Sequence, residues 1–391
     1  MSKNRILFVD DDPQMLEFYK LLGQFLGKNY DPYTAAGGAE ALLFMAEVPM
    51  DIVVSDLAMP EMNGCEFLSK VVAQFPGSIR IVASGHADQA SVAESLMFGH
   101  RYFQKPFLLA TFASTIKRIC HLKHLVDSEK TRRVVCGPGA LPTPPDTYFR
   151  LSEALDSPES EIEDIAQIVV QDPGLTGKIL QIVNSAEFGA GRRINTPAEA
   201  VQLIGAEILR ALMLSIRAFK FYEYRTPRSL SVTQLWNDSI RTAVAAQKLA
   251  RFEKLSFEDS QAAFVSGLLL DIGKLVLAAN VDSEYGIALE RSRKEGLPME
   301  TIEQEVFGAT HAQIGAFLLG LWGLPDVVVA TVETHHSFRN ATPRNFSIAT
   351  AVHIAECLQL LSGGAADLGR EHLKNIGLEE SIEVWQQVLT A

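Results

Sequence analysis

The sequence has few cysteines, a shortage of basic residues and no long uninterrupted apolar run. The four cysteines, Cys65, Cys120, Cys136 and Cys357, form no CxxC pair and lack the spacing of a disulfide framework, so we expect reduced, packed thiols. With 35 Lys and Arg against 47 Asp and Glu, the net charge is −12. This charge argues against a general nucleic-acid binder, which needs a basic face to neutralise phosphates, but it does not exclude a small basic patch.

The apolar segments are short as well. The N-terminal MSKNRILFVDDDP reaches its acids too soon for a signal peptide. Longer apolar stretches are interrupted by Asp271 and Lys274, or by Pro325 followed by Asp326, whereas a membrane-spanning helix needs about 20 mostly apolar residues. We therefore expect a cytoplasmic protein without membrane contact. Its 391 residues, 47% of them hydrophobic, suffice for two or three domains.

Strand and helix patterns alternate over roughly the first 120 residues. Short β-rich runs occur at ILFV (6–9), DIVVSD (51–56) and IRIVAS (79–84), with a further strand expected near RYFQ (101–104). Longer helical patterns separate them. This alternation predicts a parallel sheet with helices on both faces.

A helix beginning near Leu108 is expected to continue through the charged, amphipathic stretch KRICHLKHLVDSEKTRRVV. Such a stretch is either a solvated surface helix or a signalling or dimerising helix between domains, and the sequence leaves both readings open. The Pro- and Gly-rich segment CGPGALPTPPD (136–146) predicts a boundary. Helical periodicity dominates from Thr147 onward. We therefore expect an α/β domain at 1–122, a linker at 123–146 and an all-α domain at 147–391.

Polar residues follow the predicted strands of the first domain where the strands end. Asp10 and Asp11 follow the first strand, Asp56 the second, Ser84 the third and Lys105 the fourth. Because ligands gather outside the carboxyl ends of parallel strands, we expect these groups to converge. Mg²⁺ prefers oxygen ligands. Together with Lys105 it would neutralise a transferring phosphoryl group, leaving one carboxylate as nucleophile and Ser84 as a hydrogen-bond donor.

The motifs ILFVDDDP, DLAMPEMNG, ASGH and KPF resemble those of the response-regulator receiver family. The resemblance implies a doubly wound, flavodoxin-like fold with a five-stranded parallel sheet, Mg²⁺ as cofactor and phosphorylation by a sensor histidine kinase. The implied roles are Asp56 as phosphoacceptor; Asp10 and Asp11 as the acids that position Mg²⁺; the Leu57 backbone carbonyl as a further metal ligand; Ser84 as switch hydroxyl; Lys105 as the lysine of KPF; Tyr102 as switch aromatic; and Asp12 as an additional acid.

The second half carries QDPGLTGKIL, NSAEFG, LWNDSIRTA, GLLLDIGKLVL and ETHHSF, and from about Leu141 to Glu356 it resembles the HDOD family. This family is a branch of the HD phosphohydrolase superfamily, and the resemblance implies a regulatory scaffold that acts through protein contacts. Catalytic HD relatives bind metals through histidines and aspartates on facing helices, with a bound water as nucleophile. Their ligand positions match Asp238, Leu270, Asp271, His311, one of His335 or His336, and Glu356.

Two expected imidazoles are missing from this pattern, at Asp238 and Leu270. Leucine cannot coordinate a metal, so a transition metal is not expected here, although Asp271, His311 and His335 remain as a weak three-ligand alternative. Asp271 is otherwise a buried acid paired with Lys274 or with one of these histidines. The remaining expectations are core or capping roles for His311 and His335, exposure for His336, core positions for His353, Trp236 and Trp322, and helix caps or turns for Asn184 and Ser185.

The sequence therefore predicts a two-component response regulator in which phosphorylation of Asp56 modulates an HDOD output domain that contacts a downstream signalling protein. Homodimerisation is compatible with the pattern, and direct nucleic-acid binding is not expected. Two alternatives stay open: a phosphorylation-regulated, metal-dependent phosphohydrolase, and a nucleotide-binding sensor. Enzymatic activity beyond the receiver's own phosphorylation and dephosphorylation is not favoured.

Overall fold

The chain folds into two compact units. One comprises Met1–Asp146 with Gln304–Ala309 and Phe317–Leu324, and the other comprises Thr147–Glu303, Thr310–Ala316 and Pro325–Ala391. The computed structural model describes residues 3–85, 98–126, 128–136, 150–151, 154–155, 157, 159–171, 173–184, 194–223, 230–336, 346–362 and 381–390.

The first unit contains a parallel five-stranded sheet, which confirms the fold expected from the sequence. The inner strands Ile52–Ser55 and Ile79–Ser84 are buried along their whole length, as expected for a sheet covered on both faces. The spatial order is β2-β1-β3-β4-β5, so β1 and β3 are neighbours and pair Val9 with Ser55. The strands are β1 Asn4–Val9, β2 Tyr30–Ala35, β3 Ile52–Ser55, β4 Ile79–Ser84 and β5 Arg101–Gln104.

Strand β2, with the sequence YDPYTA, was not among the predicted runs. It lies at the edge of the sheet beside β1, and five of its six residues are only half-buried. A proline is tolerated in a strand at such an edge, where one side of the backbone needs no partner. The weak strand signal therefore follows from the strand's position.

Helices flank the sheet, and the first of them begins at a side-chain cap. Helix α1 (Pro13–Leu26) starts with a proline at its first turn and is capped by Asp12, whose side chain accepts a hydrogen bond from Gln14 N at 2.8 Å. The others are α2 Gly38–Glu47, α3 Gly64–Gln74, α4 Leu109–Leu122, a 3₁₀ turn at Lys123–Val126 and α5 Glu129–Cys136. The helix expected to run on from Leu108 is thus divided, because a 3₁₀ turn separates α4 from α5.

The second unit is helical throughout its described residues, as predicted. Helix α11 lies at its centre and packs against α9, α10, α16 and α17. The helices are α6 Ile162–Val170, α7 Pro173–Val183, α8 Pro197–Ile204, α9 Ala206–Glu223, α10 Val232–Phe252, α11 Phe257–Leu269, α12 Ile272–Asn280, α13 Asp282–Glu295, α14 Met299–Phe307, α15 His311–Trp322, α16 Asp326–Thr334, α17 Ile348–Ser362 and α18 Ile382–Thr390.

The central position of α11 explains its composition. Among the described residues, Phe257–Asn280 is the one stretch long and apolar enough to cross a membrane, and its most apolar 18-residue window has a mean hydropathy of 1.8. In the folded chain 78% of that window is buried. A helix that is apolar on every side is expected at the centre of a helical domain.

Candidate functional site

Two of the predicted acids meet at the carboxyl edge of the sheet. Asp10 follows β1 and Asp56 follows β3, and the Asp56 amide donates to the Val9 carbonyl at 2.9 Å. Asp10 is 1% exposed and Asp56 is 6% exposed, whereas Asp11 is exposed to solvent. Carboxylate oxygens of all three acids lie within 4.8 Å of one another. This oxygen donor set fits Mg²⁺.

Lys105, which follows β5, bridges the two buried acids. Its Nζ lies 2.6 Å from Asp10 Oδ2 and 2.9 Å from Asp56 Oδ1. Burial lowers the Lys105 pKa, but the hydrogen bonds to the two acids outweigh burial and leave the pKa raised. Burial raises the pKa of Asp10, and Lys105 opposes this shift. Lys105 therefore remains charged and supplies the local positive charge.

The loop after Asp56 holds that carboxylate in place. Asp56 Oδ2 accepts a hydrogen bond from Ala58 N at 2.9 Å. A Cβ on Gly64, the first residue of α3, would lie 2.1 Å from the Asp56 carbonyl oxygen, so the loop and helix can meet only at glycine. The Leu57 carbonyl, predicted as a metal ligand, accepts a hydrogen bond from Gly64 N at 2.9 Å and is thus engaged with α3. Ala58 is exposed, and its backbone amide lies beside the Asp56 carboxylate.

The other predicted receiver positions are placed as follows. Ser84 ends β4, is fully buried, and accepts the Lys105 amide at its carbonyl at 2.9 Å. Its position beside Lys105 agrees with the expected convergence. The Tyr102 side chain lies outside the described part. Asp12, expected as an additional acid, serves as the N-cap of α1.

A second cluster, three imidazoles, forms in the helical unit. His311 begins α15, and His335 and His336 follow the end of α16. One ligand nitrogen from each lies within 4.8 Å of the others, and Nε2 of His336 is 2.9 Å from Nε2 of His311. We call these three residues the histidine cluster.

The tautomers of two of these imidazoles are fixed by their neighbours. Glu303 Oε2 lies 2.6 Å from His311 Nδ1 and accepts the His311 amide at 2.8 Å, and Glu303 is completely buried. His335 Nδ1 lies 2.6 Å from the Val332 carbonyl. Both rings therefore donate through Nδ1, and in His335 the lone pair is on Nε2. Among the described residues, His335 Nε2 is buried without a hydrogen-bond partner.

Asp271 and Lys274 adjoin the histidine cluster. Lys274 Nζ lies 2.8 Å from Asp271 Oδ1, and His311 Nε2 lies 3.5 Å from the same oxygen. Burial raises the Asp271 pKa, but Lys274 and the histidines outweigh burial and lower it to about 2. Burial, reinforced by the charge of Asp271, raises the Glu356 pKa to about 8. At neutral pH one carboxylate is charged and the other is mostly protonated.

Buried imidazoles are also kept neutral. Burial, assisted by His311, lowers the His335 pKa to about 3, and burial together with His335 lowers the His336 pKa well below its ordinary value. A neutral imidazole is the form that binds metals. His335 and His336 thus offer nitrogen donors in their ligating state.

Comparison with known proteins identifies the two halves. A model of the HDOD domain matches residues 141–338, half of the chain, and a model of the response regulator receiver domain matches residues 6–117. The chain belongs to the HDOD family. Its N-terminal half carries a receiver domain, and this arrangement is that of a two-component response regulator with an HD-like output domain.

Similar proteins share only parts of this arrangement. An uncharacterized protein of Treponema pallidum (strain Nichols) is 27% identical over 227 residues, 57% of this chain and 43% of that protein. The transcriptional regulatory protein KdpE of Mycobacterium tuberculosis (strain CDC 1551 / Oshkosh) is 31% identical over 113 residues, 29% of this chain and 49% of that protein. The chain thus spans less than half the length of these curated relatives.

A solved structure supports the fold of the HDOD half. A putative phosphohydrolase from Shewanella amazonensis SB2B has a TM-score of 0.51 at 19% identity, and the match covers 64% of this chain and 90% of that one. At this identity the likeness concerns the fold alone.

The structure brings some HD positions of the HDOD domain together and not others. Asp271 Oδ1 lies 3.5 Å from His311 Nε2, but the three close nitrogen ligands among the described residues are those of His311, His335 and His336, so the structure does not group Asp271 with both His311 and His335 as the three-ligand alternative has it. Asp238 is half-exposed and ion-paired with Arg241 at 3.6 Å, and Leu270 is buried in the apolar core.

One prediction for the cluster was wrong. His336, expected at the surface, is half-buried against His311. Among the other expectations, Trp322 and His353 are buried, and Trp236 is half-buried with its ring 4.9 Å from that of Phe219. Asn184 donates to the Leu180 carbonyl at the end of α7, whereas Ser185 lies outside the described residues.

Glu303 was missed by sequence reasoning. It lies in METIEQEVF, where glutamates recur among apolar residues as on any amphipathic surface helix. Its complete burial depends on the packing of α14, which periodicity cannot specify.

Proposed function

We propose that a sensor histidine kinase phosphorylates Asp56 and that this modification modulates the HDOD domain, which acts on a downstream protein by direct contact. The observation that carries the proposal is the bridge from the Lys105 ammonium to both Asp10 and Asp56. A buried cation held between two acids is suited to stabilising charge on a transferring phosphoryl group. We assign domains 1–122, 123–146 and 147–391 to a cytoplasmic response regulator.

Each residue of this site has a separate role in the phosphoryl transfer. A carboxylate oxygen of Asp56 forms the new P–O bond as the P–N bond to the donor histidine breaks, and the electron pair leaves on the imidazole nitrogen. The Lys105 ammonium stabilises the negative charge that develops on the phosphoryl oxygens. The buried Ser84 hydroxyl donates a hydrogen bond to one of these oxygens. Mg²⁺, held by Asp10, Asp11 and Asp56, would neutralise phosphoryl charge when bound.

We assign the backbone metal ligand to the Ala58 carbonyl in place of the Leu57 carbonyl. The Leu57 carbonyl accepts the Gly64 amide, while Ala58 is exposed and its amide contacts the Asp56 carboxylate.

Phosphorylation is tested with acetyl phosphate and Mg²⁺, followed by intact-protein mass spectrometry. The wild type should gain one phosphoryl group and Asp56→Asn should gain none. Asp31→Asn is the matched control, because Asp31 is a partly exposed receiver acid paired with Lys3 at 3.3 Å. Labelling of Asp56→Asn equal to that of the wild type would refute the assignment.

The output is tested by pull-down with phosphorylated wild type and with Asp56→Asn. A partner enriched by only one of the two samples supports a phosphorylation-dependent protein contact, and sedimentation of the same samples reports on homodimerisation. Identical partner sets, with the wild type phosphorylated and Asp56→Asn unmodified, would refute the coupling between the two domains.

A second candidate function is favoured by the histidine cluster. We propose that its three imidazoles bind a transition metal, with Asp271 adjoining, because their ligand nitrogens lie within 4.8 Å of one another and the buried His335 Nε2 lacks a partner among the described residues. Imidazole suits Zn, Ni, Fe or Cu. A bound metal would supply Lewis acidity for a phosphohydrolase. This candidate departs from the sequence-based expectation of no transition metal.

Elemental analysis and metal titration test this candidate. Stoichiometric metal in the purified protein should be lost in His335→Gln and retained in His121→Gln, an exposed histidine of the first unit. Glu303→Gln should weaken metal affinity by about 10–100-fold, the usual effect of removing a carboxylate that orients a ligating histidine. Absence of metal together with no thermal shift on metal addition would exclude the site. Calorimetry with cyclic dinucleotides tests the nucleotide-sensor alternative.

A further inference from the structure

Arg80, in strand β4, is a buried cation that the phosphorylation chemistry does not use. It is 2% exposed. In the described part of the chain its guanidinium contacts three backbone carbonyls and one imidazole, and no carboxylate. Burying a charge without an opposite charge is costly unless hydrogen bonds compensate it. Burial accordingly lowers the Arg80 pKa to about 10.

The hydrogen bonds of Arg80 join three separate parts of the first unit. Nε donates to the Phe98 carbonyl at 2.6 Å, and Nη1 donates to the Ser78 carbonyl at 2.9 Å. Nη2 donates to the Cys136 carbonyl at 2.8 Å and lies 2.8 Å from His100 Nε2. The Arg80 amide also donates to His100 Nδ1 at 3.0 Å. One guanidinium thus connects the start of β4, the approach to β5 and the end of α5.

Helix α5 is suited to this contact. The last carbonyls of a helix have no partner within the helix and carry partial negative charge, which a cation stabilises. Cys136 is the last residue of α5 and is fully buried. With eight residues, α5 is too short to be stable by itself and depends on such tertiary contacts. A planar guanidinium presents five donors in a fixed fork, whereas an ammonium has three on a compact head.

We propose that Arg80 is a positioning residue that ties the receiver sheet to the end of α5 and so fixes where the chain leaves the receiver. The second part of this inference rests on the proposed function. Ser84 lies four residues further along β4, and its carbonyl accepts the Lys105 amide. A shift of β4 and β5 on phosphorylation is therefore carried by Arg80 to the end of α5.

Hydrogen exchange of the full chain, followed by mass spectrometry, tests whether Arg80 holds the end of α5 to the receiver sheet. Arg80→Lys keeps the charge, Arg80→Met keeps much of the volume, and Arg5→Met removes an exposed arginine from β1 as control. Exchange in 129–136 should rise about 10-fold or more in both Arg80 variants, since each loses charge-assisted hydrogen bonds. Peptides of β1 and β3 should stay unchanged in Arg80→Lys, as should 129–136 in Arg5→Met.

Unchanged exchange in 129–136 of Arg80→Lys would overturn the proposal. An equal rise over the whole sheet in that variant would also overturn it, because it would make Arg80 an ordinary stabilising core residue. If Arg80→Met does not fold, the exchange data for Arg80→Lys alone test the proposal.

The regulatory part is separated from the proposed function by labelling the same samples with acetyl phosphate. Arg80→Lys should be phosphorylated to the wild-type level, but phosphorylation should no longer alter exchange in 129–136. Failure of the wild type to be labelled would count against phosphorylation at Asp56 but not against the structural link between Arg80 and α5. A phosphorylation response in Arg80→Lys equal to that of the wild type would count against Arg80 alone.

Discussion

Gly273, in the first turn of α12, offers a sharp test of how the HDOD helices pack. A Cβ added there would lie 1.9 Å from the His311 carbonyl oxygen and 2.8 Å from Gly315 N. Both neighbours are backbone atoms of α15, so no side chain can rotate away. To restore an ordinary contact of about 3.4 Å, α15 must move by about 1.5 Å, and His311 moves with it.

The expected cost of Gly273→Ala follows from this displacement. Overpacking a well-packed core costs typically about 1–3 kcal/mol, and a clash between two backbones belongs at the upper end of that range. For a domain of this size, a free-energy loss of about 3 kcal/mol lowers Tm by about 6–12 °C. Gly177→Ala is the matched control. Gly177 is an exposed helical glycine in α7 with open space around it, so its replacement should stabilise the protein by about 0.5–1 kcal/mol.

Thermal and urea denaturation followed by tryptophan fluorescence measure both variants. Two of the three tryptophans, Trp236 and Trp385, lie in the second unit, so most of the signal reports on the helical domain. Stability of Gly273→Ala within about 0.5 kcal/mol of the wild type, the usual range of neutral surface changes, would refute the reasoning. So would an equal loss in Gly177→Ala.

Three further predictions concern charge and capping. Lys105→Met leaves two buried carboxylates without their cation, which should cost about 3–5 kcal/mol, and Mg²⁺ should restore part of the lost Tm. Asn63→Ala removes the side chain that accepts from Glu66 N at 2.8 Å at the start of α3, so the urea midpoint should fall by the equivalent of about 1 kcal/mol. The raised Glu356 pKa means that the folded state binds this proton more tightly than the unfolded state. Stability should therefore fall as pH rises from Glu356's ordinary pKa through about 8, and Glu356→Gln should flatten that slope in a Tm series against pH. An unaltered slope in the variant would contradict this account.

The receiver site was largely predictable because its residues follow successive strands. The carboxyl ends of parallel strands meet at one edge, so order along the chain sufficed to bring Asp10, Asp56 and Lys105 together. Individual backbone groups were not predictable. The hydrogen bond from Gly64 to Leu57 depends on the path of the loop, and sequence spacing does not specify that path.

The HDOD site was less predictable. Helical periodicity shows which face of a helix is apolar but not which helix faces it. The sequence therefore identified His311 and His335 as candidates, and it assigned His336 to the surface. Only the packing of α14, α15 and α16 revealed that Glu303 orients His311 and that His336 lies against His311.

By itself, then, the sequence determined the two domains, the parallel sheet and the acid–lysine site, since local patterns and strand order specify these features. Tertiary structure alone decided the histidine cluster, the burial of Glu303 and the contact between Arg80 and Cys136. Arg80 and Cys136 are 56 residues apart, and no periodic pattern connects them. Their hydrogen bond exists because folding places a helix end, with its unpaired carbonyls, beside a buried guanidinium.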